Sequence, residues 1–346
     1  MTVDEVRIRA RERFKGICRV CKFCDGVACA GEVPGMGGVG TGTSFKNNIK
    51  ALEKYRVNLR VIHDITEPVI RTQIFGKELS MPILGAAVAG GKINFRGYFT
   101  EEEFVSSQIE GAVSAGTIAM TGDGGDPTLF TTGLESLKNA GCSGIPVIKP
   151  RKTRDIIKRI KDAEKFDITA IGIDIDAAGL INMTRMGQYV GPMTVSDLKE
   201  ITSSTKLPVV LKGIMTVEDA LAAVEAGIAG IVVSNHGGRA LDFTPGTAEV
   251  LPEIADAVKG KITILADGGV RYGIDVLKMI ALGADAVLIG RPVAIAAVGG
   301  GARGVEMVYN KMADELRSAM ILTGCRDVNS IDRKILRCHF VALSDE

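Results

Sequence analysis

Tryptophan is absent from the 346 residues, histidine occurs three times, and aromatic residues make up only 5%. So few rings argue against stacking platforms for single-stranded nucleic acid. An excess of either charge is also missing: 42 Lys and Arg face 41 Asp and Glu, for a net charge of +1. That balance offers no electrostatic case for binding nucleic acid or an anionic membrane. No apolar run approaches the roughly 20 residues of a membrane span. The charged opening "MTVDEVRIRARERFKG" lacks the apolar stretch of a signal peptide. The expectation is a cytoplasmic chain whose seven cysteines are reduced unless they bind metal or do redox work.

What is present is a rhythm. From residue 81, short apolar runs without polar alternation mark strands buried on both faces: "MPILGAA", "GTIAMTG", "IPVIKP", "ITAIGIDI", "LPVVLKG", "AGIVVSN", "ITILADGG" and "AVLIGRP". Helical periods lie between most of them. In "TVEDALAAVEAG", Thr216 is placed to cap and Gly227 to stop a helix. Eight such strands predict the α/β class and a closed (β/α)8 TIM barrel. The second strand and its link to the third carry the weakest pattern, so an open doubly wound sheet is the alternative. The expected organisation is a Cys- and Gly-rich extension over 1–80 packed on the barrel, the barrel itself over 81–325, and a tail over 326–346.

Chemistry in such a barrel gathers where strands end. The ends here are Asp174 and Asp176, Lys212, Ser234 to Arg239, Asp267 to Arg271, and Gly290 with Arg291. Glycines at 268, 269 and 290 let backbone N–H groups approach a phosphate, and Arg271 and Arg291 add charge. In "IVVSNHGGRALD", His236 ends an apolar run and Arg239 follows three residues later. An imidazole suits proton abstraction and a guanidinium suits a carboxylate.

The block "SNHGGRALD" resembles the signature of FMN-dependent α-hydroxy-acid oxidases and dehydrogenases, the group of glycolate oxidase and lactate oxidase. The resemblance continues through "LPVVLKGI", "PGTAEVLPEIADAV" and "ADGGVRYGIDVLKMIALGADAVLIGRP", and upstream through "SFKNNIKALEKYRVNLRVI" and "ELSMPILGAA". It implies FMN as cofactor and a small carboxylate as substrate. It further implies His236 as general base, Arg239 as carboxylate clamp, Asp176 behind His236, and Lys212 beside the flavin. Ala86, Ala87, Val88, Thr121 and Ser234 are implied to contact the cofactor. Asp267, Gly269, Arg271, Gly290 and Arg291 are implied to hold its ribityl and phosphate. A homo-oligomer, a tetramer by analogy, is also implied, with the electron acceptor left open.

The resemblance has gaps. The family's third-strand Tyr is matched by Ile148 in "PVIKPR", and the family's N-terminal Tyr has no counterpart in "GEVPGMGGVGTG". Its second substrate arginine is matched by Met183, with Arg185 close by. Only 36 residues separate Asp176 from Lys212 (212 minus 176), a short lid. These departures predict a substrate bulkier or more apolar than glycolate. They also keep two alternatives open: a flavin-dependent isomerase-like enzyme, and a non-catalytic module that binds FMN or another phosphate ligand. Intact His236, Arg239, Asp176 and Lys212 speak against the module, because only catalysis needs all four.

Residues 18 to 29 read "CRVCKFCDGVAC", placing Cys18, Cys21, Cys24 and Cys29 as C-x2-C-x2-C-x4-C. The spacing is near that of ferredoxin iron–sulfur ligands and also suits zinc. Reduced thiols or a redox disulfide are the other readings. Cys142, Cys325 and Cys338 lack such spacing and read as structural; His63 and His339 read as surface or packing residues.

Overall fold

The computed structural model describes residues 1–95, 99–141 and 143–338. Cys142, His339 and the end of the expected tail lie outside the described residues. Eight parallel strands run around one axis: β1 (Ile83–Gly85), β2 (Met120–Thr121), β3 (Ile145–Ile148), β4 (Ile171–Asp174), β5 (Val209–Ile214), β6 (Gly230–Val233), β7 (Thr263–Ala266) and β8 (Ala286–Ile289). Each of the eight apolar runs holds one of them, β5 reaching one residue past its run to Ile214. β8 pairs with β1. The ring closes between β1 and β2, where Gly85 bridges Ala119 and its N–H donates to the Ile118 carbonyl at 3.0 Å. The fold is therefore a (β/α)8 barrel and not an open sheet.

Strand periodicity sorts the side chains. Leu84, Met120, Val147, Val210, Val232, Leu265 and Leu288 fill the barrel interior. Their neighbours, such as Ile83, Ile148, Ile173 and Leu211, face the surrounding helices. Between β5 and β6, the helix Val217–Glu225 starts where the Thr216 hydroxyl accepts from the Asp219 N–H.

The first 80 residues cover three parts of this frame. Helix Val3–Phe14, closed by a Thr2–Glu5 capping box, buries Val6, Ala10 and Phe14 in the same core as the helical stretch Arg291–Thr323, which breaks at Gly301. A hairpin of Thr72–Ile74 and Lys77–Leu79 sends Ile74 and Leu79 into the barrel-interior cluster. The Gly-rich segment wraps the loop after β6. There the Thr41 N–H and hydroxyl donate to Asp242, and the Val39 N–H donates to the Gly238 carbonyl at 2.9 Å. Near the described C-terminal end, Leu336–Cys338 pairs antiparallel with Tyr55–Val57. Cys325 is buried and Cys338 exposed. His63 serves local packing: its Nδ1 accepts from the Ile65 N–H at 3.1 Å.

Candidate active site

Alternation along the strands carries four charged side chains inward past the apolar layer. Lys149 follows β3, Asp174 ends β4, Lys212 lies on β5 and Asp267 follows β7, and all four are buried. Lys149 Nζ lies 2.5 Å from Oδ2 of Asp174, and Lys212 Nζ lies 3.1 Å from its Oδ1. A register shift at Lys212 to Ile214 marks a bulge at Gly213. Gly213 has φ 111°, and a Cβ there would sit 2.5 Å from the Cβ of Asp176. Only glycine lets the Asp176 turn pack this closely behind the site.

His236 stands over this layer. Its Nδ1 lies 2.8 Å from Oδ1 of Asp176 and 3.4 Å from Oδ1 of Asp174. Because a carboxylate accepts, Nδ1 is the donor, and Nε2 is left as the basic nitrogen. The backbone through His236, Gly237 and Gly238 is left-handed, with φ of 59°, 61° and 78°. That turn swings the imidazole out of the strand line. At Gly238 a side chain has no room, since a Cβ would come within 2.4 Å of the Phe45 nitrogen. The Asn235 side chain pins the turn: its Oδ1 accepts from the Gly238 N–H at 3.1 Å and from Asn48 Nδ2 at 2.8 Å.

The charges interact strongly. Burial disfavours the charged imidazole, but Asp174 and Asp176 outweigh it and raise the His236 pKa. Burial likewise works against ionised Asp174, yet His236, Lys149 and Lys212 hold its pKa well below the usual carboxylate range. Lys212 resists its own burial through Asp174, Asp176 and Asp267, and is held as the cation. Asp174, Asp176 and His236 are close enough together to ligate a metal. The two lysine ammoniums already neutralise Asp174, so the group reads as an acid–base network.

These residues border a cavity of about 260 Å³. Ala86, Ala87 and Val88 line it from the end of β1, with Lys212, His236 and Arg239. Asp267, Gly269, Arg271, Gly290 and Arg291 line it from β7 and β8. Asp176 lies behind His236 rather than on the wall. Two expected cofactor contacts are corrected. Thr121 points out of the barrel, close to Gly133 of the following helix, and Gly122 lines the cavity in its place. Ser234 is wholly buried, and its hydroxyl accepts from the His236 N–H at 3.1 Å. The gap assigned to Ile148 is also corrected. Ile148 faces the outer helices, and Lys149 lines the cavity at that level. Met183 lines the cavity as expected, while Arg185 is exposed.

Sequence reasoning missed three contributions. The loop Val33 to Met36 forms part of the wall. The carbonyls of Gly35 and Gly37 take Nη1 of Arg239 at 2.7 and 3.1 Å, and Asn94 takes its Nη2. Below the lid, Arg151 forms a two-pronged ion pair with buried Asp123 and donates to Gln188 at 2.6 Å. The Gly-rich composition of the loop was the one signal available for the first of these.

The residues fit an anionic cofactor. Arg239, Arg271 and Arg291 converge, and among the described residues none has a carboxylate partner. Burial, together with Arg239 and Arg271, pushes the pKa of Arg291 down to about 9. Nε of Arg271 and Oδ1 of Asp267 are buried without a hydrogen-bond partner among the described residues. A phosphate-bearing ligand would supply the missing charge, and polyol hydroxyls would supply the missing donors.

The FMN-dependent dehydrogenase model matches residues 35–189 and 181–338. The chain belongs to this family. It is 34% identical to 4-hydroxymandelate oxidase of Amycolatopsis orientalis, covering 86% of this chain and 90% of that protein. It is 33% identical to glycolate oxidase of Spinacia oleracea, covering 84% and 86%. Among solved structures, mandelate oxidase superposes with a TM-score of 0.80 at 31% identity over 97% of each chain. A mandelate oxidase variant solved with an FMN adduct gives 0.77 at 34% identity, over 97% of this chain and 100% of that one. The protein is an FMN-dependent enzyme of the 2-hydroxyacid oxidase and dehydrogenase family, and the isomerase-like and non-catalytic readings fall away.

Proposed function

We propose that this chain oxidises a 2-hydroxycarboxylate that carries an apolar side chain. One observation carries the reading: the cavity combines the His236–Asp176 pair with the long apolar side chains of Ile93, Leu129, Leu180, Met183 and Met186. Ala86 to Val88 and Gly290 would flank the flavin, and Arg271 and Arg291 would hold its phosphate. Bound FMN supplies a two-electron acceptor beside the substrate.

The protein's own groups do the rest. Arg239 holds the substrate carboxylate with donors that Gly35, Gly37 and Asn94 leave free; a guanidinium has five. Nε2 of His236 takes a proton from the substrate, and Asp176 and Asp174 stabilise the imidazolium that forms. Lys212 places a fixed positive charge where negative charge develops on reduction. A cytoplasmic location and a homo-oligomer, a tetramer by family analogy, complete the proposal; cell fractionation and light scattering test them.

The decisive experiment is anaerobic bleaching of the bound flavin by a panel of 2-hydroxy acids. Aryl- and long alkyl-substituted acids are expected to exceed glycolate in kcat/KM by at least ~10-fold, the lower end of what one buried methylene contributes. Equal or better turnover of glycolate or lactate would overturn the apolar preference.

A further inference from the structure

The four clustered cysteines take no part in this chemistry, yet the fold gathers them. Cys18, Cys21, Cys24 and Cys29 line a single small cavity whose remaining wall includes Met36 and Arg291. All four are free thiols. We propose that they hold a four-iron iron–sulfur cluster against the flavin end of the barrel.

Three observations support this. The first is the spread of the thiols. A single zinc ion with Zn–S bonds of about 2.3 Å draws its four sulfurs to within roughly 4 Å of one another. Among the described residues, no three of these sulfurs lie within 4.8 Å of each other, although all four border the same cavity. A wider set facing one space suits a multi-iron core, and the C-x2-C-x2-C run matches that of ferredoxins.

The second is charge. A cluster held by four thiolates is anionic. Arg271 Nη2 lies 3.5 Å from Cys24 Sγ, and Arg291 lines the cavity. The Val20 N–H donates to Cys18 Sγ at 3.5 Å, an N–H···S contact of the kind that tunes clusters.

The third is strain. Val20, between the first two cysteines, is buried and has φ 44°, a conformation rare for a β-branched residue. The surroundings enforce it. Arg11 donates to the carbonyls of Arg19 and Val20 at 3.1 and 2.9 Å, Arg7 to that of Cys21 at 2.6 Å, and Arg19 pairs with Glu32. Such a loop is built to hold its cysteines in place. Met36 and Arg291 border both this cavity and the larger one.

The test is to purify the full-length chain under strict anaerobiosis, reconstitute it with ferrous iron and sulfide, and measure iron, acid-labile sulfide, zinc and FMN on one sample. About four irons and four sulfides per chain are expected, with a paramagnetic signal after dithionite reduction. Cys24→Ser is expected to lose at least half of the iron while FMN content, read separately, is kept. If that variant fails to fold, the wild-type stoichiometry decides alone. Stoichiometric zinc, or no bound iron after reconstitution, would overturn the proposal.

Discussion

Oδ1 of Asp176 lies 2.8 Å from Nδ1 of His236, whose backbone is left-handed at φ 59°. The pair sets the working pH of the base. His236 acts when neutral, and its pKa is raised because Asp174 and Asp176 outweigh the burial that opposes charge. The acid limb of kcat/KM is therefore expected above about 6.5, the ordinary imidazole value. Asp176→Asn removes one of the two charges that raise it. The limb then moves to lower pH and kcat falls, because the imidazolium has lost a partner. A pH profile of both proteins checks the direction; an unmoved limb would mean that Asp176 does not tune His236.

His236→Ala keeps the cavity's arginines and strand-end glycines. FMN is expected to stay bound, while substrate reduction of the flavin falls by at least about 10²- to 10⁴-fold, the usual worth of a general base. Stopped-flow absorbance under anaerobic conditions reads both quantities. Near wild-type reduction would remove His236 from the role of base.

Arg271 brings a buried, unpartnered Nε to the cavity. Arg271→Met is expected to weaken FMN binding about 10- to 100-fold, in line with roughly 1.5–3 kcal/mol for a hydrogen bond to a charged group. Flavin fluorescence titration of the apoprotein measures it. An unchanged Kd would place the phosphate elsewhere.

Arg151 is the closest cation to a carboxylate that is wholly out of solvent: both Nε and Nη2 lie 3.1 Å from Asp123. Arg151→Ala strands that charge, and losing one partner of a buried pair costs about 3–5 kcal/mol. Arg159, 3.8 Å from Asp123, keeps the loss toward the lower figure. Denaturant unfolding with FMN saturating reads the change; a loss below ~1 kcal/mol would show that Arg159 or water takes over the carboxylate.

Much of the molecule was legible in the residues alone. All eight barrel strands fall in apolar runs, since strands covered on both faces are apolar along most of their length; Asp174 and Lys212 are charged exceptions at the site. The rim residues stood out because charge directly after such runs has few structural uses. Tertiary structure decided which side of each strand those residues take. A one-residue difference in reading turns a side chain from the cavity to the helices, and that is how Thr121 and Ile148 gave way to Gly122 and Lys149. It also decided the contacts between distant segments. Asn48 meets Asn235 across 187 residues, and Arg239 meets the Gly35 carbonyl across 204. No local pattern encodes such pairs, because a hydrogen bond between distant segments forms only once the barrel has brought both ends to the same rim.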